Sequence, residues 1–218
     1  MSKNIRNLAI IAHIDHGKST LSDRIIEATN TISSREMEDQ ILDDLQVERD
    51  HGVTVKARAI QNTYLADNNE KYEINLIDTP GHVDFQDEVT KSLTASDNAI
   101  LLIDATQGIE AQTLANLRIG KKLGVKILPV INKVDIAGIN THKIETEIKT
   151  LCPEYQNRDI LKISAKTGVG IHELMETVVL NLLPPAGNDK KNYLLWFLTL
   201  IMIHSKVLFY IFELSMVF

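Results

Sequence analysis

Gly17, Lys18 and Ser19 are the residues of this sequence best suited to chemistry, because they lie between a predicted strand and a predicted helix. The apolar run at residues 8–11 predicts a buried strand, and residues 19–27 have the apolar spacing of a helix. A tight loop between such elements binds phosphate through backbone N–H groups and the positive end of the helix dipole. Lys18 would reach the outer phosphates, and the Ser19 hydroxyl would coordinate Mg²⁺.

The loop departs from the usual G-x-x-x-x-G-K-[ST] pattern at one position, since Ala12 stands where the first glycine is expected. Gly-Lys-Ser would also suit the ordinary start of a helix, so other stretches have to decide between the two interpretations. His13 and His16, with Asp15 between them, raise the alternative of a transition-metal site. A phosphate-binding loop explains these three residues better.

The stretch N-K-V-D at residues 132–135 predicts which base is bound, because an ionised carboxylate only accepts hydrogen bonds. Guanine offers Asp135 a ring N–H and an amino group, whereas adenine has no such pair and should be rejected by roughly 10⁴-fold. Asn132 would tie the base pocket to the phosphate loop, and the stem of Lys133 would cover the base. Residues 164–166, S-A-K, follow a short strand where a backbone N–H could reach the guanine carbonyl.

The stretch D-T-P-G at residues 78–81 offers the Asp78 carboxylate to Mg²⁺ through water, and the Gly81 N–H to the γ-phosphate. Thr54 would contact Mg²⁺ and the γ-phosphate through its hydroxyl and carbonyl. The charged residues 35–52 before it suit a solvated surface, but we interpret them as a switch that γ-phosphate orders and its loss releases.

All these stretches follow a predicted strand or precede one, and an open α/β sheet binds ligands beyond the carboxyl ends of its strands. The predicted GTP- and GDP-binding residues are Asp15, His16, Gly17, Lys18, Ser19, Thr20, Asp78, Gly81, Asn132, Lys133, Asp135, Ser164, Ala165 and Lys166. The predicted Mg²⁺ ligands are Ser19, Thr54 and, through water, Asp78.

The elements that must position these residues alternate between strand and helix. Strands are predicted at residues 8–11, 53–60 with 63–65, 72–77, 99–103, 125–131 and 160–163. Helices are predicted at residues 19–27, 83–96, 111–123, 141–151 and 171–183. The turn at residues 67–70 predicts a hairpin, which makes one strand antiparallel. We therefore expect an α/β fold, a mostly parallel six-stranded sheet with helices on both faces.

Bulk properties limit the class of protein. The chain has 218 residues, a formal net charge of −6 and one cysteine, Cys152. The negative charge argues against sequence-independent binding of nucleic acid by the chain as a whole, so we expect no DNA partner. A lone cysteine allows no internal disulfide, and we find no cleavable signal sequence, so we expect a cytoplasmic protein. We also expect a monomer.

The motifs resemble those of translational GTPases. A-H-I-D-H-G-K-S-T at residues 12–20 is the loop form of elongation factors of the Tu and G types, and D-T-P-G-H at residues 78–82 is similar to the same family. Further stretches resemble the LepA branch, also called elongation factor 4, and these are residues 4–7, 35–38, 48–57, 108–116 and 164–170. The resemblance covers residues 3–187 and implies the P-loop GTPase fold.

This resemblance implies a GTP hydrolase that the ribosome stimulates, and that supports accurate protein synthesis by acting on stalled or mistranslocated ribosomes. By analogy, His82 would be the catalytic residue that orients the attacking water. Catalysis in this class is mostly positioning and charge stabilisation, so we expect slow hydrolysis without the ribosome.

The end of the sequence does not fit the resemblance. We expect residues 1–187 to form the GTP-binding domain and residues 188–218 to be an aberrant hydrophobic tail, not a domain. The apolar stretch at residues 193–214 has about the length of a membrane span. His204 and Lys206 would be costly in the middle of such a span.

Our interpretation of the tail is a frameshift near residues 190–195 that truncated a longer factor, because a different frame with chosen codons resembles the family's barrel domain. Two alternatives stay open for function. One is a truncated GTP- or GDP-binding switch without ribosome-stimulated turnover. The other is a tail-anchored membrane GTPase, or peripheral association with the cytoplasmic face of the cell membrane.

Overall fold

A computed structural model describes residues 3–29, 58–79 and 86–185. The strands are β1 (Ile5–Ala12), β2 (Arg58–Leu65), β3 (Lys71–Asp78), β4 (Asn98–Asp104), β5 (Lys126–Asn132) and β6 (Leu161–Lys162). The helices are α1 (Lys18–Ala28), α2 (Gln86–Thr94), α3 (Ala111–Lys122), α4 (His142–Leu151) and α5 (Ile171–Asn181), with a 3₁₀ turn at Pro153–Tyr155. The predicted switch, His82 and the predicted tail lie outside the described residues.

The six strands form one sheet in the order β2-β3-β1-β4-β5-β6. The hairpin pair β2 and β3 is antiparallel, while β1, β4, β5 and β6 run parallel to their neighbours and to β3. A short turn at residues 66–70 can only reverse the chain, whereas the parallel pairs are reached through crossovers that contain helices. The predicted α/β fold with a mostly parallel sheet and one antiparallel pair is confirmed.

The core lies on the central strands. Every residue of β4 is buried, and residues 8–11 of β1 have no exposed surface. Continuous burial requires cover on both faces of the sheet. On the described part of the chain, α1 packs beside α5 and α2 packs beside α3. The strand ends at the rim of the sheet are therefore fixed by a closely packed interior, which positions the loops that follow them.

The start of β1 differs from the prediction, because the strand begins at Ile5 and not at residue 8. The polar residues before the apolar run were expected to lie outside the strand, but Arg6 is 6 % exposed. Its guanidinium donates to the carbonyls of Lys3 at 2.7 Å and Val179 at 2.5 Å, and lies 5.3 Å from the ring centroid of Tyr72. These partners satisfy the hydrogen-bonding groups of a buried charge.

Other boundaries differ by smaller amounts. β2 is one continuous strand where the pattern predicted two pieces, and α4, β6 and α5 are each one or two residues shorter than expected. Among the helices of the described residues, none combines the length and apolar character needed to cross a membrane.

Candidate nucleotide-binding site

The loop between β1 and α1 has a backbone that requires glycine at its end. Asp15 has a φ of 62° and Gly17 a φ of 89°, both in the left-handed region. A Cβ atom on Gly17 would lie 2.6 Å from Nδ2 of Asn132, which is too close for any side chain. The helix begins directly afterwards, with the Leu21 N–H donating to the Gly17 carbonyl at 2.9 Å. The loop thus curls tightly into the start of α1.

Asn132 joins this loop to a second one. It is the last residue of β5 and is 2 % exposed. Its Nδ2 donates to the His16 carbonyl at 2.9 Å, and its Oδ1 accepts the Ala165 N–H at 2.9 Å. Both ends of one buried amide are therefore used to hold together two chain segments that are far apart in sequence.

Lys133 also joins the loop between β1 and α1 to another strand end at the same rim. Its φ is 65°, and its Nζ donates to the Asp15 carbonyl at 2.6 Å and lies 2.7 Å from Oδ2 of Asp104. Asp104 ends β4, has no exposed surface, and accepts the Thr106 N–H and hydroxyl through Oδ1, both at 2.7 Å. Burial alone would raise the pKa of Asp104, but the Lys133 ammonium and the two Thr106 donors outweigh it and lower that pKa.

The side chain of His16 points beneath the loop and not out of it. It is fully buried, with Nδ1 at 3.3 Å from both the Leu102 carbonyl and the Asp104 backbone nitrogen, and its tautomer decides which of them it pairs with. Its ring meets that of His13 edge-on, with centroids 5.3 Å apart. Burial lowers the pKa of His16, so the neutral ring is favoured. Any contact of His16 with phosphate would come from its backbone.

Lys18 extends from the start of α1 towards the end of β3. Its ammonium donates to the Thr79 carbonyl, and Lys18 is 8 % exposed. The Thr79 hydroxyl donates to the Ile10 carbonyl at 2.5 Å, and Asp78 pairs with Ile10 in the β1–β3 register. The backbone of the predicted D-T-P-G stretch therefore begins beside the predicted phosphate loop, with Lys18 already reaching across.

Asp135 lies on the exposed side of the rim, next to residues 164–169. The Ser164 hydroxyl is the main cause of a lowered pKa at Asp135. Ser164 also shapes its own loop, since its Oγ accepts the Thr167 N–H at 3.1 Å and its carbonyl accepts the Gly168 N–H at 2.8 Å. The lowered pKa means that Asp135 stays ionised, and so only accepts hydrogen bonds, to a more acidic pH than an ordinary aspartate.

Comparison with known proteins places this arrangement in a family. The Elongation factor Tu GTP binding domain matches residues 3–184. The chain belongs to this family. The match to GTP-binding domains agrees with a Gly-Lys-Ser stretch between β1 and α1 and with a guanine-type N-K-V-D stretch at the rim of the same sheet.

Curated relatives of this GTP-binding domain include two proteins named elongation factor 4. The one from Lactiplantibacillus plantarum is 52 % identical over 185 residues, which cover 85 % of this chain and 31 % of the relative. The one from Symbiobacterium thermophilum is 49 % identical over 189 residues, covering 87 % of this chain and 31 % of the relative. The chain thus spans about a third of the length of these relatives, and the LepA-type resemblance is confirmed.

A solved structure gives the same fold. A bacterial selenocysteine-specific elongation factor, EF-Sec, superposes with a TM-score of 0.63 and 30 % identity. The superposition covers 79 % of this chain and 28 % of that protein.

Within this GTP-binding domain, the structure brings most of the predicted site residues to one rim of the sheet. The residues found there are Asp15, His16, Gly17, Lys18, Ser19, Thr20, Asn132, Lys133, Asp135, Ser164, Ala165 and Lys166, together with the backbone of Asp78. Thr54, Gly81 and His82 lie outside the described residues. Sequence reasoning missed Asp104, although an acidic residue that ends a continuously apolar strand is a signal for it.

Proposed function

We propose that this chain binds GTP and GDP together with Mg²⁺ at the rim described above and hydrolyses GTP, as the GTP-binding domain of an elongation factor 4-like factor. The observation that carries the proposal is the double hydrogen bond of Asn132 to the His16 carbonyl and the Ala165 N–H. It fixes the distance between a loop suited to phosphate and a loop suited to a base, which one nucleotide would span.

The phosphate end of the site fits a nucleotide with Mg²⁺. The backbone N–H groups of the loop around Gly17, which approaches Asn132 closely, would face phosphate oxygens. Lys18 would transfer its ammonium from the Thr79 carbonyl to the outer phosphates. Ser19, Thr54 and, through water, Asp78 would supply oxygen donors, which are the ligands that Mg²⁺ prefers. The bound ion would neutralise phosphate charge, while these residues hold and orient the phosphates.

The base end of the site fits guanine. Asp135 is ionised at neutral pH, as an exposed aspartate ordinarily is, and the Ser164 hydroxyl lowers its pKa further, so it can accept from the N1–H and the amino group of guanine. Adenine would leave this carboxylate without donors, and the discrimination should reach roughly 10⁴-fold. A backbone N–H of residues 164–166 would bind the guanine O6.

Hydrolysis and the ribosome as partner are the parts of the proposal that depend on family membership. We place His82 as the residue that orients the attacking water, and we expect the ribosome to accelerate a slow intrinsic reaction. The relatives carry the name elongation factor 4, which supports a role in translation and a cytoplasmic location. A His82→Ala variant that kept full ribosome-stimulated phosphate release, at unchanged GTP affinity, would exclude this role for His82.

The base assignment is tested by exchanging the hydrogen-bonding character of Asp135. In the full chain, Asp135→Asn should weaken GDP binding by about 100-fold or more, because the amide can only partly replace an ionised acceptor. The same variant should gain affinity for xanthosine diphosphate, whose carbonyl replaces the guanine amino group and can accept from the amide. Isothermal titration calorimetry with Mg²⁺ measures both affinities.

Asp159→Asn is the matched control, because Asp159 is an exposed aspartate outside the site. It should bind GDP as the unchanged chain does. Equal GDP affinity of Asp135→Asn and Asp159→Asn would overturn the assignment of the base pocket.

A further inference from the structure

Arg24 connects α1 to the loop of residues 164–169. Its Nε donates to the Ala165 carbonyl at 2.9 Å, and its Nη2 donates to the Lys166 carbonyl at 3.0 Å. The partners are 141 and 142 positions away in sequence. The helix that begins at the predicted phosphate loop is therefore hydrogen-bonded, through one side chain, to the loop predicted to contact the base.

The geometry requires arginine. The guanidinium is a planar fork whose Nε and Nη2 can donate in parallel to two neighbouring acceptors, whereas the ammonium of lysine is a single point of charge. The remaining nitrogen, Nη1, pairs with Glu27 on the next turn of α1. This pair is exposed to solvent, with 37 % of the Arg24 side chain and 50 % of the Glu27 side chain accessible, so it adds little to the two carbonyl contacts.

The contact of Arg24 with the Ala165 carbonyl bears on the direction of the Lys166 N–H, which belongs to the same peptide. In a trans peptide the carbonyl and the following N–H point in opposite directions, so the Lys166 N–H faces away from Arg24. The Ala165 N–H is bound to Oδ1 of Asn132, and the Thr167 N–H is bound to Oγ of Ser164. Among the hydrogen bonds of the described residues, neither the Lys166 N–H nor the Val169 N–H has an acceptor, and only the Lys166 N–H belongs to a peptide whose carbonyl Arg24 binds.

We propose that Arg24 is a positioning residue for guanine recognition, which orients the Ala165–Lys166 peptide so that the Lys166 N–H meets the guanine O6. Adenine carries an amino group at that position, so a fixed N–H there favours guanine. Asn132 holds the loop from β5 and Arg24 holds it from α1, and the loop is fixed only with both. The inference rests on the proposed function, because it concerns the same base pocket.

The test compares two ligands that differ only at the atom in question. GDP and 6-thio-GDP are titrated calorimetrically into the full chain with Mg²⁺; sulfur replaces O6 in the second and is a poorer acceptor. The unchanged chain should prefer GDP. Arg24→Ala should lose about tenfold in GDP affinity, the value of one hydrogen bond, and much less for 6-thio-GDP, so that the preference shrinks. Arg24→Lys should resemble Arg24→Ala.

Two controls isolate the carbonyl contacts. Glu27→Ala removes the ion pair of Arg24 but leaves both carbonyl partners, and Arg118→Ala removes an exposed arginine on α3. Both should keep the GDP affinity and the preference of the unchanged chain. Thermal unfolding without nucleotide identifies a variant that has lost its fold. If Arg24→Ala does not fold, the GDP and 6-thio-GDP affinities of Arg24→Lys test the proposal in its place.

The outcomes separate this inference from the function on which it rests. An Arg24 variant that keeps the GDP preference overturns the inference, whether both affinities are unchanged or both fall equally. Failure of the proposed function has a different signature: the unchanged chain does not bind GDP, or Asp135→Asn binds it equally well. Hydrogen exchange gives a second readout, since Arg24→Lys should speed exchange at residues 164–169 in the nucleotide-free chain.

Discussion

Two polar clusters each hold distant segments of this chain together, and they differ in their access to water. The buried cluster consists of His16, Asp104, Asn132 and Lys133 at the rim of the candidate site. The exposed cluster consists of Asp67, His172 and Glu176 and ties the β2–β3 hairpin to α5. In the exposed cluster, His172 Nε2 lies 3.2 Å from Asp67 Oδ2, and their side chains are 62 % and 69 % exposed.

Similar distances in the two clusters should correspond to different energies. A buried amide that loses its partner leaves unsatisfied groups, at a cost of about 1–3 kcal/mol for each. An exposed ion pair exchanges its partner for water and is typically worth about 0–1 kcal/mol. The contact of Tyr64 with Glu176 should have an energy between these two ranges, because Tyr64 is 6 % exposed and donates to Glu176 at 2.8 Å. Burial and the Glu176 carboxylate together raise the pKa of Tyr64. The buried cluster should therefore determine both stability and binding.

Asn132→Ala should produce the largest effect. It removes partners from the His16 carbonyl and the buried Ala165 N–H, so the free energy of unfolding should fall by about 2–5 kcal/mol. GDP affinity should fall by about 100-fold or more, because the two loops are no longer held at a fixed distance. Urea unfolding and calorimetry measure these quantities, and Asn157→Ala is the control at an exposed position. A loss no larger than that of Asn157→Ala would mean that burial does not distinguish the clusters.

His16 should give the buried cluster a pH dependence of intermediate size. Burial lowers the pKa of His16 in the folded chain, so the unfolded chain takes up the proton first as the pH falls below about 6.5. Stability should be full above that pH and decline below it, by at most about 1.4 kcal/mol per pH unit for this one group. Urea midpoints of the unchanged chain and of His16→Gln between pH 8 and pH 5 test this. Identical profiles would exclude a buried neutral His16.

His172→Ala should produce the smallest effect. Because His172 and its partner Asp67 are both well exposed, the free energy of unfolding, measured at high salt to screen any charge on the pair, should change by about 0.5 kcal/mol or less. His142→Ala, at an exposed position on α4, is the matched control for loss of an exposed imidazole. A loss above 2 kcal/mol at high salt would show that exposure does not predict the energies of these contacts.

The same comparison explains what sequence reasoning could predict. The motifs that contain Lys18, Asn132 and Asp135 are contiguous, so residue type and spacing were enough to predict their chemistry. The alternation of strands and helices predicted the sheet that brings these motifs together. The link from Asn132 to the phosphate loop was expected from its motif, and the structure places the atoms in contact. Sequence pattern is therefore sufficient to predict a functional group of residues when those residues are neighbours in the sequence.

Contacts between distant residues were not predictable in this way. Arg24 has the pattern of an exposed helix position, and nothing near it in sequence indicates that its partners are residues 165 and 166. Arginine is rarely buried, and nothing near Arg6 in sequence indicates that it donates to the Val179 carbonyl and lies over the Tyr72 ring. The carbonyl partners at residues 165, 166 and 179 lie far along the chain from both arginines, so only the tertiary structure shows these contacts.

The most direct test of the account is the ratio of ADP to GDP dissociation constants for the full, unchanged chain with Mg²⁺, measured by competition against a fluorescent guanine nucleotide. An ionised Asp135 beside a loop held by Asn132 and Arg24 predicts that GDP binds at least about 10⁴-fold more tightly than ADP. Comparable affinities for the two nucleotides, or no binding of either, would contradict the assignment of this rim as a guanine-nucleotide site.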